Sequence, residues 1–317
     1  MNRPRPPELE RILGAMGRRS FRSLAEAQAW LDRRMAEYNA APQAELGGLS
    51  PVQVSELLLG DWQSTGALRL EPGLAGSQLD AARFLQVTRL LLQVARDEGP
   101  LPATAAGNLT RRSVSQLVDR IRGADEVRAV LRGPGGVLNE PDIHLLHIPR
   151  LVLGLAGLLA RRKGFRITSR GRALLDERRT GELFAELFRT YFRTLNLAYL
   201  DRGPEQPGFQ RTVAFSIVQL GRHAADWTTA ERLAGAVFLP GALDPTDAHY
   251  GPHTAPWLLA TRLLHPLREF GLLERRLRGD GPEWQRVAEF RKVPLFDRFL
   301  RFDFGGPGGE AAVLRPA

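Results

Sequence analysis

The sequence predicts a mainly α fold with small β-hairpins, in which an N-terminal helical hairpin precedes tandem helix–strand–helix units. Three observations carry this reading. Helix-start signatures recur along the chain, a helix–glycine–strand–threonine pattern occurs twice about 65 residues apart, and the last third orders three helices before two extended segments. The 317 residues fit two or three domains, and a 43% apolar, 25% charged composition is that of a globular chain. The predicted divisions are residues 1–65 for the helical hairpin, 77–200 for the repeat domain, 205–305 for a C-terminal domain and 306–317 for a flexible tail.

In the first region, Ser23 and Glu26 have capping-box spacing and start a helix whose apolar face is Leu24, Ala27, Trp30, Leu31 and Met35. A loop from Asn39 to Gly48 leads to Ser50, Pro51 and Gln53, which supply cap, first-turn proline and box partner for a second helix. Leu68 to Gly76, broken by Pro72 and two glycines, reads as a linker or extended segment.

The repeat follows. One helix ends at Ala95 and Arg96 and passes Gly99 into Thr104, Gly107 and Leu109. Its second copy ends at Ala160 and Arg161, turns at Gly164 and continues through Phe165, Arg166 and Ile167 to Thr168, Gly171 and Leu174. In each copy glycine stops the helix, a brief strand follows, threonine caps the next helix, and the glycine three residues on permits close packing. Residues 132–136 form a Gly/Pro-rich loop without the lysine of a phosphate-binding loop. Glu182 to Tyr199 is strongly helical, with a wide apolar face including Leu183, Phe184, Leu187, Phe188, Tyr191, Phe192 and Leu195. Beyond the linker from Gly203 to Gly208, helices are expected over Thr212–Arg222, Thr229–Phe238 and Ala255–Phe270. A box of Thr228 and Glu231 starts the second of these, and Pro266 interrupts the third. Gly271–Arg276 and Val287–Val293 then form a hairpin.

The stretch Leu159 to Leu175 resembles the wing region of winged-helix regulators, where a helix end, a basic turn, a strand and Thr-x-x-Gly-x-x-Leu lead into the next helix. The resemblance implies tandem winged-helix-like units. Leu49-Ser50-Pro51, Thr104 to Leu109 and Thr168 to Leu175 together resemble an uncharacterised family of bacterial proteins, which brings no activity with it. Tyr38-Asn39 followed by Leu46 to Pro51 is similar to the closing segment of the integrase core in bacterial transposases. Here, however, Ala41-Pro42-Gln43 replaces the Arg-Pro-His element and the catalytic acid is missing.

The absence of cysteine excludes disulfides, thiolate metal sites and cysteine nucleophiles, and suits a reducing compartment. No secretory leader is read at Met1 to Pro7, and the longest apolar run, Leu151 to Ala160, is too short to span a bilayer, so the expectation is a cytoplasmic protein without membrane contact. The net charge of +9 favours polyanions. Nearly all the cations are arginine, so compositional bias is the competing reading of the charge. What distinguishes the two is location: Arg161, Arg162, Lys163, Arg166, Arg170 and Arg172 crowd the second copy's turn, and Arg275, Arg276 and Arg278 the C-terminal hairpin, where wings track phosphates. Arg111, Arg112, Arg120 and Arg122 sit after the first copy. His144 with His147, and His249 with His253, have helical spacing that would suit a metal but read as packing or solvated histidines; no cofactor, metal or catalytic triad is expected. Three functions follow in order: DNA binding through phosphate contacts, a protein-interaction scaffold or homo-oligomer using the Leu183–Leu195 face, and a metal-dependent hydrolase.

Overall fold

A computed structural model describes residues 7–132, 139–243, 254–282 and 285–304. Within them the chain is mainly helical with small antiparallel sheets. The His249/His253 pair, most of the Gly/Pro loop and the tail beyond residue 304 lie outside the described residues.

Helix α1 (Pro7–Gly17) leads to α2 (Leu24–Ala40) and α3 (Pro51–Leu59). Ser23 caps α2 through Glu26 N at 3.2 Å, but the Glu26 carboxylate takes the amide of Arg22 rather than of Ser23. Of the predicted α2 face, Ala27 and Trp30 are buried, whereas Leu24 is exposed. At α3 both halves of the Ser50–Gln53 box form. The transposase-like segment before it ends in a turn whose Gly47 carbonyl accepts from Gln219 and Arg222, so it is packed against a distant helix.

Of the two readings of Leu68 to Gly76, the extended one holds at its start, where Leu68–Leu70 is a strand. β1 (Leu68–Leu70) pairs antiparallel with β7 (Leu300–Phe302), joining the segment after α3 to the C-terminal part of the described chain.

From α4 (Arg83–Asp97) the chain passes through Leu101 and a turn to α5 (Arg111–Arg120), α6 (Asp125–Arg132) and α7 (His144–Leu155). It then forms the hairpin β2 (Leu159–Arg161) and β3 (Phe165–Ile167), and α8 (Ser169–Leu174). The two sequence copies therefore do not form two separate helix–strand–helix units. The extended piece of the first copy, at Leu101, exchanges both amide hydrogen bonds with Phe165 of the second (2.9 and 2.8 Å), giving one sheet in the order Leu101, β3, β2. Thr168 caps α8 as expected, through Gly171 N at 3.0 Å, and a Cβ on Gly171 would collide with the Leu158 carbonyl. Thr104 caps no helix. It closes a turn with Asn108, and Thr110 caps α5 instead, because Gly107 at φ +83° reverses the chain before a helix can start.

Helix α9 (Thr180–Arg193) is shorter than the predicted 182–199; Asn196 recaps the chain into a 3₁₀ turn, Leu197–Leu200. Its apolar face is not available to a partner. Leu183, Phe184, Leu187, Phe188 and Phe192 are fully buried in the chain's own core, where Phe188 packs 5.1 Å from both Phe270 and Phe299. That core is one continuous cluster running from Leu49 to Leu300, so all three predicted regions contribute to it.

The C-terminal part repeats the α4–β3 order: α10 (Pro207–Arg211), α11 (Val213–His223), β4 (Thr228–Thr229), α12 (Ala230–Val237), α13 (Thr254–Leu259), a π-helical turn (Ala260–Leu264), α14 (His265–Glu269), β5 (Leu273–Arg278) and β6 (Val287–Lys292). α15 (Pro294–Phe299) closes it. The sheet order is β4-β6-β5, the same as Leu101-β3-β2. Thr229, not Thr228, caps α12, its hydroxyl accepting from Arg232 N at 3.4 Å. Pro266 does interrupt the third helix: lacking an N–H, it leaves the ladder one donor short, and the turn before it widens to π geometry. That turn presents Arg262, whose guanidinium is buried against Asp201 (2.6 and 2.9 Å) and the Pro204 carbonyl. No described helix is long and apolar enough to cross a membrane.

Candidate functional site

The β2–β3 hairpin is tied off by an Arg162 N–H to the Gly164 carbonyl at 2.7 Å. Lys163 at its tip takes φ +47°. Gly164 takes φ +120°, and a Cβ there would press on the Leu101 carbonyl, so glycine is what lets the first extended piece pair with β3. Strand alternation buries Phe165 and Ile167 and turns Arg166 outward. The hairpin thus projects Arg161, Arg162, Lys163 and Arg166 into solvent.

These four cations differ in their restraint. Arg161 donates through Nη2 to the Ala105 carbonyl at 2.9 Å and lies over Gly107, linking the hairpin to the 104–108 turn. Among the described residues Arg162, Lys163 and Arg166 have no carboxylate partner. Arg170 is drawn away from them, donating to the Ala156 carbonyl at 2.8 Å and pairing with Glu186 at 2.9 Å. Arg172 is exposed on α8. Beyond the 104–108 turn, a groove lined by Asn108, Thr110, Arg111, Arg112 and Asn139 continues the basic surface onto the start of α5.

The second hairpin carries more arginines, and three of them face carboxylates. Glu289 on β6 pairs with Arg276 at 2.7 Å and Arg278 at 3.6 Å, and these arginines hold its carboxyl below the usual range. Trp227 lies between the guanidinium groups of Arg276 and Arg291, 4.4 and 4.7 Å from its ring centre, and Arg291 also pairs with Glu274. Sequence reasoning found the arginines and missed Glu289, which the antiparallel β5–β6 register sets opposite Arg276, and Trp227, which the β4–β6 pairing brings alongside.

The helices preceding each hairpin are turned inward. Leu146, His147, Ile148, Arg150, Val152 and Leu153 of α7 are buried, as are Leu263, Leu264 and Leu267 around the π turn. Neither offers a continuous polar face to a base-pair edge.

His147 is held for a different reason. Its Nδ1 donates to Glu140 at 2.7 Å, and its Nε2 is hydrogen-bonded with the hydroxyl of Tyr199 at 2.7 Å. Glu140, fully buried, also accepts from Arg150 Nε at 2.5 Å and from the Leu109 amide. Burial opposes its ionisation, but the hydrogen bonds from His147, Arg150 and Leu109 outweigh this and keep its carboxyl below the ordinary range. Arg150 in turn sits 4.7 Å above Phe165, so the cluster fixes α7 against the basic hairpin. His147 and Arg150 lie one turn apart on α7 and could have been read together, but Glu140 reaches them from a separate 3₁₀ turn, and Tyr199, 52 residues beyond His147, carries no local signal. His144, on the same helix, is not joined to His147 as a metal pair, and no group of three or more potential ligands comes together among the described residues.

Residues 80–180, from just before α4 to the first turn of α9, match the model of the Y4jL N-terminal domain, a family without an assigned function. The match contains the whole basic hairpin and, of the Glu140 cluster, Leu109, Glu140, His147 and Arg150 but not Tyr199. No curated protein and no solved structure matches the chain.

Proposed function

We propose that the protein binds nucleic acid through the phosphate backbone, using the β2–β3 hairpin as its principal contact. The observation that carries this is the contrast between the two hairpins: the first projects Arg162, Lys163 and Arg166 without carboxylate partners among the described residues, while the second pairs Arg276 and Arg278 with Glu289 and Arg291 with Glu274. Compositional bias alone would load both with arginine and gives no reason for one to be left uncompensated. The shared order of a helix, a strand, further helices (α5 to α7 in the first, α12 to α14 in the second) and a two-stranded hairpin, with the first strand beside the last, supports reading residues 83–167 and 213–292 as two winged-helix-like units rather than placing two units within 77–200. In this reading the wing, not the buried α7, meets the polyanion, which gives strong salt dependence and little sequence preference.

The test compares fluorescence anisotropy titrations of mixed-sequence duplex DNA by the native protein, by a variant with Arg162, Lys163 and Arg166 changed to Gln, and by one with Arg275, Arg276 and Arg278 changed to Gln. The reading predicts that the first variant loses most of the affinity and the second retains most of it. Equal losses would assign binding to net charge, and no binding by the native protein at low salt would overturn the function.

A further inference from the structure

Four arginines follow the first copy of the repeat. Arg120 pairs with Glu98 at 2.5 Å at the C-terminal end of α5, and Arg122 lies just beyond that end. Arg111 and Arg112 stand at the other end of the helix, about 15 Å away by the helical rise, in the groove beside the 104–108 turn. Both are exposed, and neither has a carboxylate partner among the described residues. Arg111 is nevertheless held in place. Its Nε donates to the side-chain carbonyl of Asn139 at 3.1 Å, while its Nη groups make no hydrogen bond among the described residues. Asp142, the one carboxylate in the groove lining, is engaged by Asn139 instead, accepting from its backbone amide at 2.9 Å and its side-chain amide at 3.3 Å. A guanidinium fixed at Nε by a neutral amide keeps its charge and presents its Nη groups as a fork, which suits two oxygens of one phosphate. Arg161 is likewise held by a neutral acceptor, the Ala105 carbonyl, and that bond ties the basic hairpin to the turn forming the edge of the groove.

We infer, resting on the reading of the hairpin as a phosphate contact, that this groove is a second phosphate contact on the same surface and that the partner is a duplex. Arg111 and Arg112 make the contact, and Asn139 is a positioning residue for Arg111. The duplex follows from what the surface offers. Single strands are held largely by bases stacked on aromatic rings. The groove lining contains no aromatic residue, and Phe165 of the hairpin is buried beneath Arg150. Uncompensated cations on two joined elements suit instead the dense, regular phosphates of a double helix, which carries one negative charge per about 1.7 Å of its axis.

The experiment is a set of anisotropy titrations of the full chain over a range of salt, with one mixed-sequence duplex and with each of its single strands; thermal denaturation checks that every variant is folded. Arg111→Gln with Arg112→Gln should lower the magnitude of the slope of log K against log salt by about 1.8, two contacts at about 0.9 each. Arg33→Gln with Arg232→Gln removes the same charge from exposed positions on α2 and α12 and should leave the slope unchanged. Asn139→Ala keeps every cation, so the slope should hold while affinity for the duplex falls about two- to tenfold, the cost of ordering one freed arginine. The single strands should bind more weakly than the duplex. An unchanged slope for the Arg111, Arg112 variant, beside a hairpin variant that loses affinity, would overturn the groove and spare the hairpin. An equal loss in the Arg33, Arg232 variant would assign the effect to net charge and overturn it too, as would a single strand bound as tightly as the duplex. Native affinity in Asn139→Ala would remove its positioning role, and no binding by the native protein would strike the hairpin reading together with the groove.

Discussion

Replacing Glu140 with Ala removes one carboxylate that accepts from the Leu109 amide, His147 Nδ1 and Arg150 Nε, and leaves all three donors behind. Arg150 keeps only 8% of its side-chain surface exposed, so its charge would stay buried without a counter-ion. Breaking a buried pair in this way costs about 3–5 kcal/mol. A surface comparison sets the scale: Glu98 pairs with Arg120 at a similar separation, 2.5 Å, but both side chains are about half exposed, and Glu98→Gln should cost about 0.5 kcal/mol or less. Urea denaturation followed by far-UV circular dichroism measures both. The same cluster predicts a pH signature. Because the folded carboxyl of Glu140 titrates below its ordinary value of 4.5, its contribution is fully present above that value and is lost as pH falls through the folded pKa. The native protein should therefore lose stability below about pH 4.5 more steeply than Glu140→Gln. A Glu140→Ala protein within about 1 kcal/mol of native would refute the reasoning, since three buried donors cannot lose their acceptor at that cost.

Arg262→Ala should be comparably damaging, by about 3–5 kcal/mol in the same assay, because it strands Asp201 with a side chain only 1% exposed. Gly171→Ala should cost about 1–3 kcal/mol, since the added carbon meets the Leu158 carbonyl and the Ile167 side chain; thermal denaturation reads the loss. Burial, with the charges of Arg275 and Arg268, pushes His265 down to about 4. A histidine depressed in the folded state contributes stability that is intact above its ordinary 6.5 and declines as pH falls from there to about 4, so His265→Asn should flatten the stability profile across that window.

Local chemistry was legible in the sequence, and long-range pairing was not. Ser23, Ser50 and Thr168 announced helix starts because a cap needs only itself and a residue three positions on. The β5–β6 hairpin was readable from its two extended runs and the turn between them. Thr104 misled because its surroundings match Thr168 in composition while Gly107 commits the chain to a left-handed turn. Neither the Leu101–Phe165 pair nor the Leu68–Phe302 pair has a local signal, and both decide the architecture. The candidate site divides the same way. The arginines of both hairpins stood out in the sequence, but which of them were already compensated depended on Glu289, Trp227 and Glu186, placed opposite them by strand pairing and helix packing. The apolar face of α9 read equally well as a docking surface or a core, because hydrophobic periodicity records burial and not by what.

The central claim is that the β2–β3 hairpin contacts phosphates with cations no carboxylate holds. The most direct test is the dependence of the binding constant on salt, measured by anisotropy with one mixed-sequence duplex for the native protein and for the Arg162, Lys163 and Arg166 to Gln variant. Each phosphate contact contributes about 0.9 to the slope of log K against log salt, so three lost contacts should lower its magnitude by roughly 2.7. A variant that binds more weakly with an unchanged slope would contradict the account, because the three cations would then not lie on the phosphates.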